Sequence, residues 1–66
     1  MSVLKVIEIM SASKKSWEDA AATGIAKASK TLKNVRSAWV QDQSLDIEKG
    51  KIKEYRVTLK ISFEVL

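Results

Sequence analysis

Residues 55–65 constrain the fold of this chain more than any other stretch. They read Tyr-Arg-Val-Thr-Leu-Lys-Ile-Ser-Phe-Glu-Val, so apolar and polar side chains alternate without interruption. This period-two pattern is typical of a β-strand with one buried face. Because a slip of one residue would turn every apolar side chain towards water, the register of the strand is strongly specified. We therefore predict that residues 55–65 form the central strand of a small sheet.

A strand and a helix are predicted before it. Residues 3–10 are rich in β-branched side chains and mostly apolar on both faces, interrupted only by Lys5 and Glu8, which suits a strand that is covered by a helix on one side and by a second subunit on the other. Residues 11–15 are polar and are expected to form a loop. Residues 17–32 place small apolar side chains at helical spacing. Ser16 is the predicted N-cap, accepting a hydrogen bond from the backbone N–H of Asp19.

A second strand is predicted between the helix and residues 55–65. Asn34 is expected to end the helix in a left-handed conformation. Residues 35–47 are extended, but neither face is cleanly apolar, and the adjacent Trp39 and Val40 indicate a bulge. Gly50 supplies the positive φ that a hairpin turn needs, so this strand and the last one pair antiparallel.

These elements have few compact arrangements. A right-handed crossover makes the first two strands run in the same direction, and the last strand pairs with both if it inserts between them. The predicted fold class is α+β, with the order β-α-β-β and a three-stranded antiparallel sheet, ordered first-third-second, packed on one helix. We expect one domain over residues 1–66.

The composition predicts an assembly of identical chains. A chain of 66 residues buries only about 60% of its unfolded surface. It has no cysteine and no histidine for disulfides or a structural zinc, so oligomerisation is the remaining means of stabilisation. Neither a signal segment nor a run of about 20 apolar residues is present, so we expect a soluble, cytoplasmic protein without membrane contact.

The charged residues favour neither nucleic acid binding nor catalysis. The net charge is +4, but the 12 basic residues are scattered among 8 acidic ones, which is typical of a solvated mixed-charge surface. Histidine, cysteine and phosphate-binding glycine loops are lacking in the sequence, and no carboxylate pair has the spacing of an acid and a base. We predict that the protein is not an enzyme.

Four strings in this order resemble the dodecin family: Lys-Val-Ile-Glu-Ile at 5–9, Ser-Trp-Glu-Asp-Ala-Ala at 16–21, Ala-Ser-Lys-Thr-Leu-Lys-Asn-Val-Arg at 28–36, and residues 55–65. The resemblance implies a β-α-β-β protomer that assembles into a hollow homododecamer. It also implies a small-molecule binding and storage function, because family members commonly bind flavins in pairs at a two-fold interface.

The resemblance supplies candidate ligand-binding residues. Flavin-binding members have a tryptophan that stacks on the ring at the position of Ser37 and a glutamine that bonds the ring at the position of Arg56. Trp39 follows Ser37 on the same face of a regular strand, where it offers a displaced stacking platform for riboflavin or FMN or fills volume at a subunit interface. Gln43 matches a family segment that faces the inside of the shell. We therefore predict Ser37, Trp39, Gln43 and Arg56 as the ligand-binding residues.

A cation site is the alternative. The branch of the family that lacks the flavin pair, which this chain resembles through Arg36, Tyr55 and Arg56, includes calcium-associated members. Calcium or magnesium takes six or more oxygen ligands. One chain has no 12-residue calcium loop, so the site would be shared between subunits around a symmetry axis or would use backbone carbonyls. The candidate ligands are acids of the second strand and of the helix start: Asp42, Asp46, Glu48, Glu18 and Asp19. These acids either bind a cation or pair with nearby lysines in a purely structural shell.

Overall fold

A computed structural model of the chain describes residues 3–65. It contains β1 (Val3–Ser13), α1 (Trp17–Thr31), β2 (Val35–Glu48) and β3 (Lys51–Val65). The strands form one antiparallel sheet in the order β1-β3-β2, and α1 packs on one face of it. This confirms the predicted fold class and sheet order. Within residues 3–65, no helix has the length and apolarity that a membrane span requires.

The central strand β3 carries the core, as its alternation predicts. Val57, Leu59 and Ile61 are at most 1% exposed, and together with Ala20 of α1 they are the fully buried hydrophobic residues of the described chain. The small residues of α1 let the helix lie close to the sheet: Gly24 is buried and faces both Ser11 and Leu59. The core volume therefore comes mainly from the sheet.

The first strand is longer than predicted. Residues 11–13 were expected in a loop, but β1 pairs with β3 as far as Ser13, which lies opposite Tyr55. Ser13 is buried, and its hydroxyl donates to the Asp19 carboxylate at 2.6 Å and accepts from the Lys15 backbone N–H at 2.9 Å. The polar composition of residues 11–13 indicates a loop, but in the structure their backbone groups pair with β3 and the Ser13 hydroxyl has two hydrogen-bond partners.

The start of the helix follows its sequence signal, whereas its end differs from the prediction. The Ser16 hydroxyl accepts a hydrogen bond from the Asp19 backbone N–H at 2.9 Å, which confirms the predicted N-cap. Asn34 has the predicted left-handed conformation, with φ of 60°, but the helix already ends at Thr31, and Leu32 is its extended C-cap, whose backbone N–H donates to the Ala28 carbonyl. The turn between β2 and β3 uses positive φ at Lys49 and Gly50, of 54° and 76°.

Irregularities in β2 decide which way its side chains point. The register against β3 shifts between Val35 and Ser37, between Val40 and Asp42, and between Asp46 and Ile47. The second shift lies directly after the predicted bulge site at Trp39 and Val40. Because one unpaired residue exchanges the two faces of a strand, residues before and after this shift cannot be assigned to a face by simple alternation.

Candidate binding surface

The sheet face opposite α1, here called the outer face, is covered by no other element within residues 3–65. The register places Leu4, Val6 and Met10 of β1 on it, opposite Glu64, Ser62 and Thr58 of β3. Leu4, Val6 and Met10 are 53%, 48% and 70% exposed. Glu8 lies between Val6 and Met10 on this face, opposite Lys60. A group of exposed apolar side chains with a charged neighbour is typical of an interaction surface. The two-faced apolar pattern of residues 3–10 predicted this feature.

Two serines occupy the part of the outer face where the resemblance places a stacking tryptophan. Ser37 of β2 lies opposite Ser62 of β3, and their hydroxyl oxygens are 2.5 Å apart. Ser62 is only 3% exposed, so this hydrogen bond satisfies a buried polar group. The partner of Ser37 was not predicted, because it depends on the register shift at residue 36, which no alternation pattern indicates.

Trp39 lies two residues after Ser37 in β2 and on the same outer face, as predicted for a regular strand. Its cross-strand neighbour is Lys60, and its side chain is about half exposed. A half-exposed indole presents one ring face to a planar ligand or to another protein surface. Trp17, by contrast, packs edge-on against Tyr55 with ring centroids 5.4 Å apart, and its Nε1–H donates to the Ser44 carbonyl at 3.2 Å.

Arg56 also lies on the outer face, between Ala12 of β1 and Ser44 of β2. Its guanidinium is 3.5 Å from the Asp46 carboxylate. Lys60, the cross-strand neighbour of Trp39, lies four positions after Arg56 in β3. Four residue steps correspond to about 13 Å along a strand. A ligand that contacts both Trp39 and Arg56 of one chain must therefore bridge this distance.

Gln43 lies apart from the other predicted ligand-binding residues. It is opposite Val57, whose side chain is buried in the core under α1. The register shift after Val40 thus moves Gln43 to the α1 side of the sheet, whereas Ser37, Trp39 and Arg56 share the outer face. One chain therefore groups three of the four residues on one face.

The predicted cation ligands are spread along β2 and the start of α1. Asp46 pairs with Arg56, and Glu48 lies 3.6 Å from Lys53. Asp42 is exposed opposite Thr58 and takes part in no salt bridge among the described residues. Glu18 and Asp19 lie in the first turn of α1. Within residues 3–65 no three acidic side chains come together as a metal site, so a site of high coordination number takes further oxygens from backbone carbonyls, water or another chain.

Comparison with known proteins identifies the family. The dodecin family model matches residues 3–66. The chain belongs to the dodecin family. It is 41% identical over 66 residues to the calcium dodecin of Mycobacterium tuberculosis, a match that covers 98% of this chain and 92% of that protein.

Two solved dodecin structures have the same fold. The calcium dodecin of M. tuberculosis, described as a calcium-chelating antigen with a calcium-binding site, superposes with a TM-score of 0.86 at 39% identity, over 98% of this chain and 93% of its own. The dodecin of Streptomyces davaonensis superposes with a TM-score of 0.93 at 28% identity, over 98% and 96% of the two chains. The family predicted from the four sequence strings is thus confirmed.

Proposed function

We propose that this dodecin forms a hollow homo-oligomer in the cytoplasm, of twelve copies as the family resemblance implies, that binds and stores calcium. The exposed apolar residues of β1 on the outer face carry the assembly part of the proposal. Leu4, Val6 and Met10 remain open to solvent in the single chain, while only Ala20, Val57, Leu59 and Ile61 are fully buried hydrophobic residues of the described chain. A core of this size stabilises a chain without disulfides or metal only weakly, and burying the outer face adds the missing apolar area.

The cation part rests on the acids of β2 and on the relationship to the calcium dodecin. Calcium takes six to eight oxygen ligands, and one chain brings no three acids together within residues 3–65. The site therefore combines carboxylates of several copies around a symmetry axis. Asp42 is the leading ligand, because its carboxylate is exposed and takes part in no salt bridge within residues 3–65, whereas Asp46 and Glu48 form ion pairs with Arg56 and Lys53.

Calorimetric titration of calcium into chelator-treated protein tests this function. We expect saturable calcium binding by the oligomer and at least a tenfold loss of affinity in Asp42→Asn, which keeps the shape of the side chain but removes its charge. Glu8→Gln, at an exposed acid of β1 that is not among the candidate ligands, is the matched control for the loss of one carboxylate, and we expect it to bind like the wild type. An oligomer that binds no calcium would refute the cation function, and a monomer in light scattering would refute the assembly.

A flavin-type planar ligand is the second candidate, and the exposure of Trp39 favours it. The indole lies half exposed on the outer face beside Ser37. If it stacks on an isoalloxazine ring, riboflavin or FMN should quench the fluorescence of the wild type, and Trp39→Phe should remove the response while Trp17 continues to emit. The double variant Ser37→Trp with Arg56→Gln restores the family's flavin-binding side chains and should gain affinity. If neither the wild type nor this variant responds, the flavin function is excluded.

A further inference from the structure

A groove lies between α1 and β1 on the α1 side of the sheet. Ile7 and Ile9 of β1 line it from the sheet, and their cross-strand partners Ile61 and Leu59 are buried in the core. Its volume is about 500 Å³, which lies within the range of small-molecule sites in proteins. None of the predicted ligand-binding residues and none of the candidate cation ligands lines it. The groove is therefore separate from the sites proposed for calcium and for a planar ligand.

The helix contributes two adjacent rows of residues to the groove. Gly24 and Ala28 are four residues apart and lie in one row, which is apolar. Thr23, Lys27 and Thr31 lie in the next row, which is polar and exposed. From Thr23 to Thr31 the groove extends about 12 Å along the helix axis. An elongated ligand that is apolar along most of its length and polar at one end fits this arrangement.

The charge at the groove is positive. Lys27 is its charged lining residue, and within residues 3–65 it takes part in no salt bridge. Residues 20–41 include four basic residues and no acidic one, so this part of α1 offers no competing carboxylate to Lys27. Glu8, the acid of β1, lies on the outer face opposite Lys60. An anionic group at the rim of the groove therefore meets an attractive charge and no acid among the described lining residues.

We propose that this groove binds a small amphipathic anion, an unbranched apolar chain that ends in a carboxylate. The chain lies between Ile7 and Ile9 on one side and the apolar row of α1 on the other, and its burial removes apolar surface of both ligand and protein from water. The carboxylate lies at the rim, where it accepts from the Lys27 ammonium and the Thr23 hydroxyl. This binding function goes beyond the proposed calcium storage and does not depend on it.

Calorimetric titration of decanoate into the chelator-treated protein tests the site. The chelator removes calcium, which would precipitate the carboxylate, so the result is independent of the cation site. We expect saturable binding of one decanoate per chain, at concentrations below those at which decanoate forms micelles. Decyltrimethylammonium has the same chain and a cationic head group, and it should bind at least about fivefold more weakly because Lys27 repels it.

Two pairs of variants locate the ligand in the groove. Lys27→Glu should weaken decanoate binding at least about fivefold, because it turns attraction into repulsion, whereas Lys30→Glu, at an exposed lysine that does not line the groove, should change it little. Ala28→Leu fills the groove and should weaken binding at least about tenfold, whereas Ala26→Leu, at an exposed position outside the groove, should not. Circular dichroism and light scattering verify that the variants keep the fold and mass of the wild type.

Saturable binding that both groove variants weaken and both controls retain supports the site. If Ala28→Leu fails to fold, Lys27→Glu and the comparison of head groups still decide. A wild type that does not bind decanoate, or that binds decyltrimethylammonium equally well, would overturn the proposal, and so would binding that Lys27→Glu leaves unchanged. The calcium function is decided separately by the calcium titration, because no candidate cation ligand lines the groove.

Discussion

Replacing Gly24 with alanine tests how closely α1 packs on the sheet. A Cβ atom at this position would lie 3.0 Å from the Cβ of Ser11, 3.2 Å from its Oγ and 3.3 Å from Cδ1 of Leu59. Alanine is favoured over glycine inside a helix by about 1 kcal/mol. Overpacking a well-filled core costs roughly 1–3 kcal/mol. Ser11 Cβ is attached directly to the β1 backbone and Leu59 is fully buried, so neither gives way freely.

We therefore expect Gly24→Ala to lower the free energy of unfolding by about 1 kcal/mol, because the steric cost exceeds the gain in helix propensity. Urea denaturation at one fixed protein concentration measures this, since the stability of an oligomer depends on concentration. Ala22→Gly, at an exposed position of α1, is the control for helix propensity alone.

A double-mutant cycle with Ser11→Gly separates the steric term. Removing the Ser11 side chain relieves the two shortest contacts of the new Cβ. We expect a favourable coupling of at least about 0.5 kcal/mol between the two substitutions. An increase of about 1 kcal/mol in the stability of Gly24→Ala, without coupling to Ser11, would show that only helix propensity acts at this position and that the close packing is wrong.

Three further substitutions probe other parts of the fold by the same denaturation assay. Ser16→Ala removes the N-cap acceptor of α1 and should cost about 1 kcal/mol, whereas Ser29→Ala on the exposed side of the helix should cost almost nothing. Leu59→Ala creates a cavity in the core and should lower the free energy of unfolding by roughly 2–5 kcal/mol. A smaller decrease would mean that α1 moves towards the sheet and fills the cavity. Arg56→Gln breaks an exposed ion pair with Asp46 and should cost less than about 1 kcal/mol, so a larger loss would assign Arg56 a buried role in the assembly.

The fold was predictable because its strongest local patterns agree with its global arrangement. The alternation in residues 55–65 requires one buried face, and Val57, Leu59 and Ile61 occupy it. The extension of β1 to Ser13 was not predictable, because serines near a lysine pair indicate a loop and only pairing with β3 overrides that signal.

The candidate site was predictable only in part. Ser37 and Trp39 share a face because the strand is regular between them, and Arg56 lies on the same face. The register shift after Val40 places Gln43 on the other side. The adjacent Trp39 and Val40 indicated a bulge here, but a strand without an apolar face does not reveal which residue is left unpaired, so the face of Gln43 was not predicted. The proposed grouping of the acids depends on contacts between chains, about which the periodicity of one chain carries no information.

Native mass spectrometry of the purified protein, with and without a chelator, tests the central proposal most directly. Twelve copies of a 7.4 kDa chain give an assembly of about 89 kDa. We expect this mass to carry bound calcium in a fixed number per assembly, and we expect a chelator to remove the calcium. A species at the mass of one chain, or an assembly that has the same mass with and without the chelator, would contradict the account.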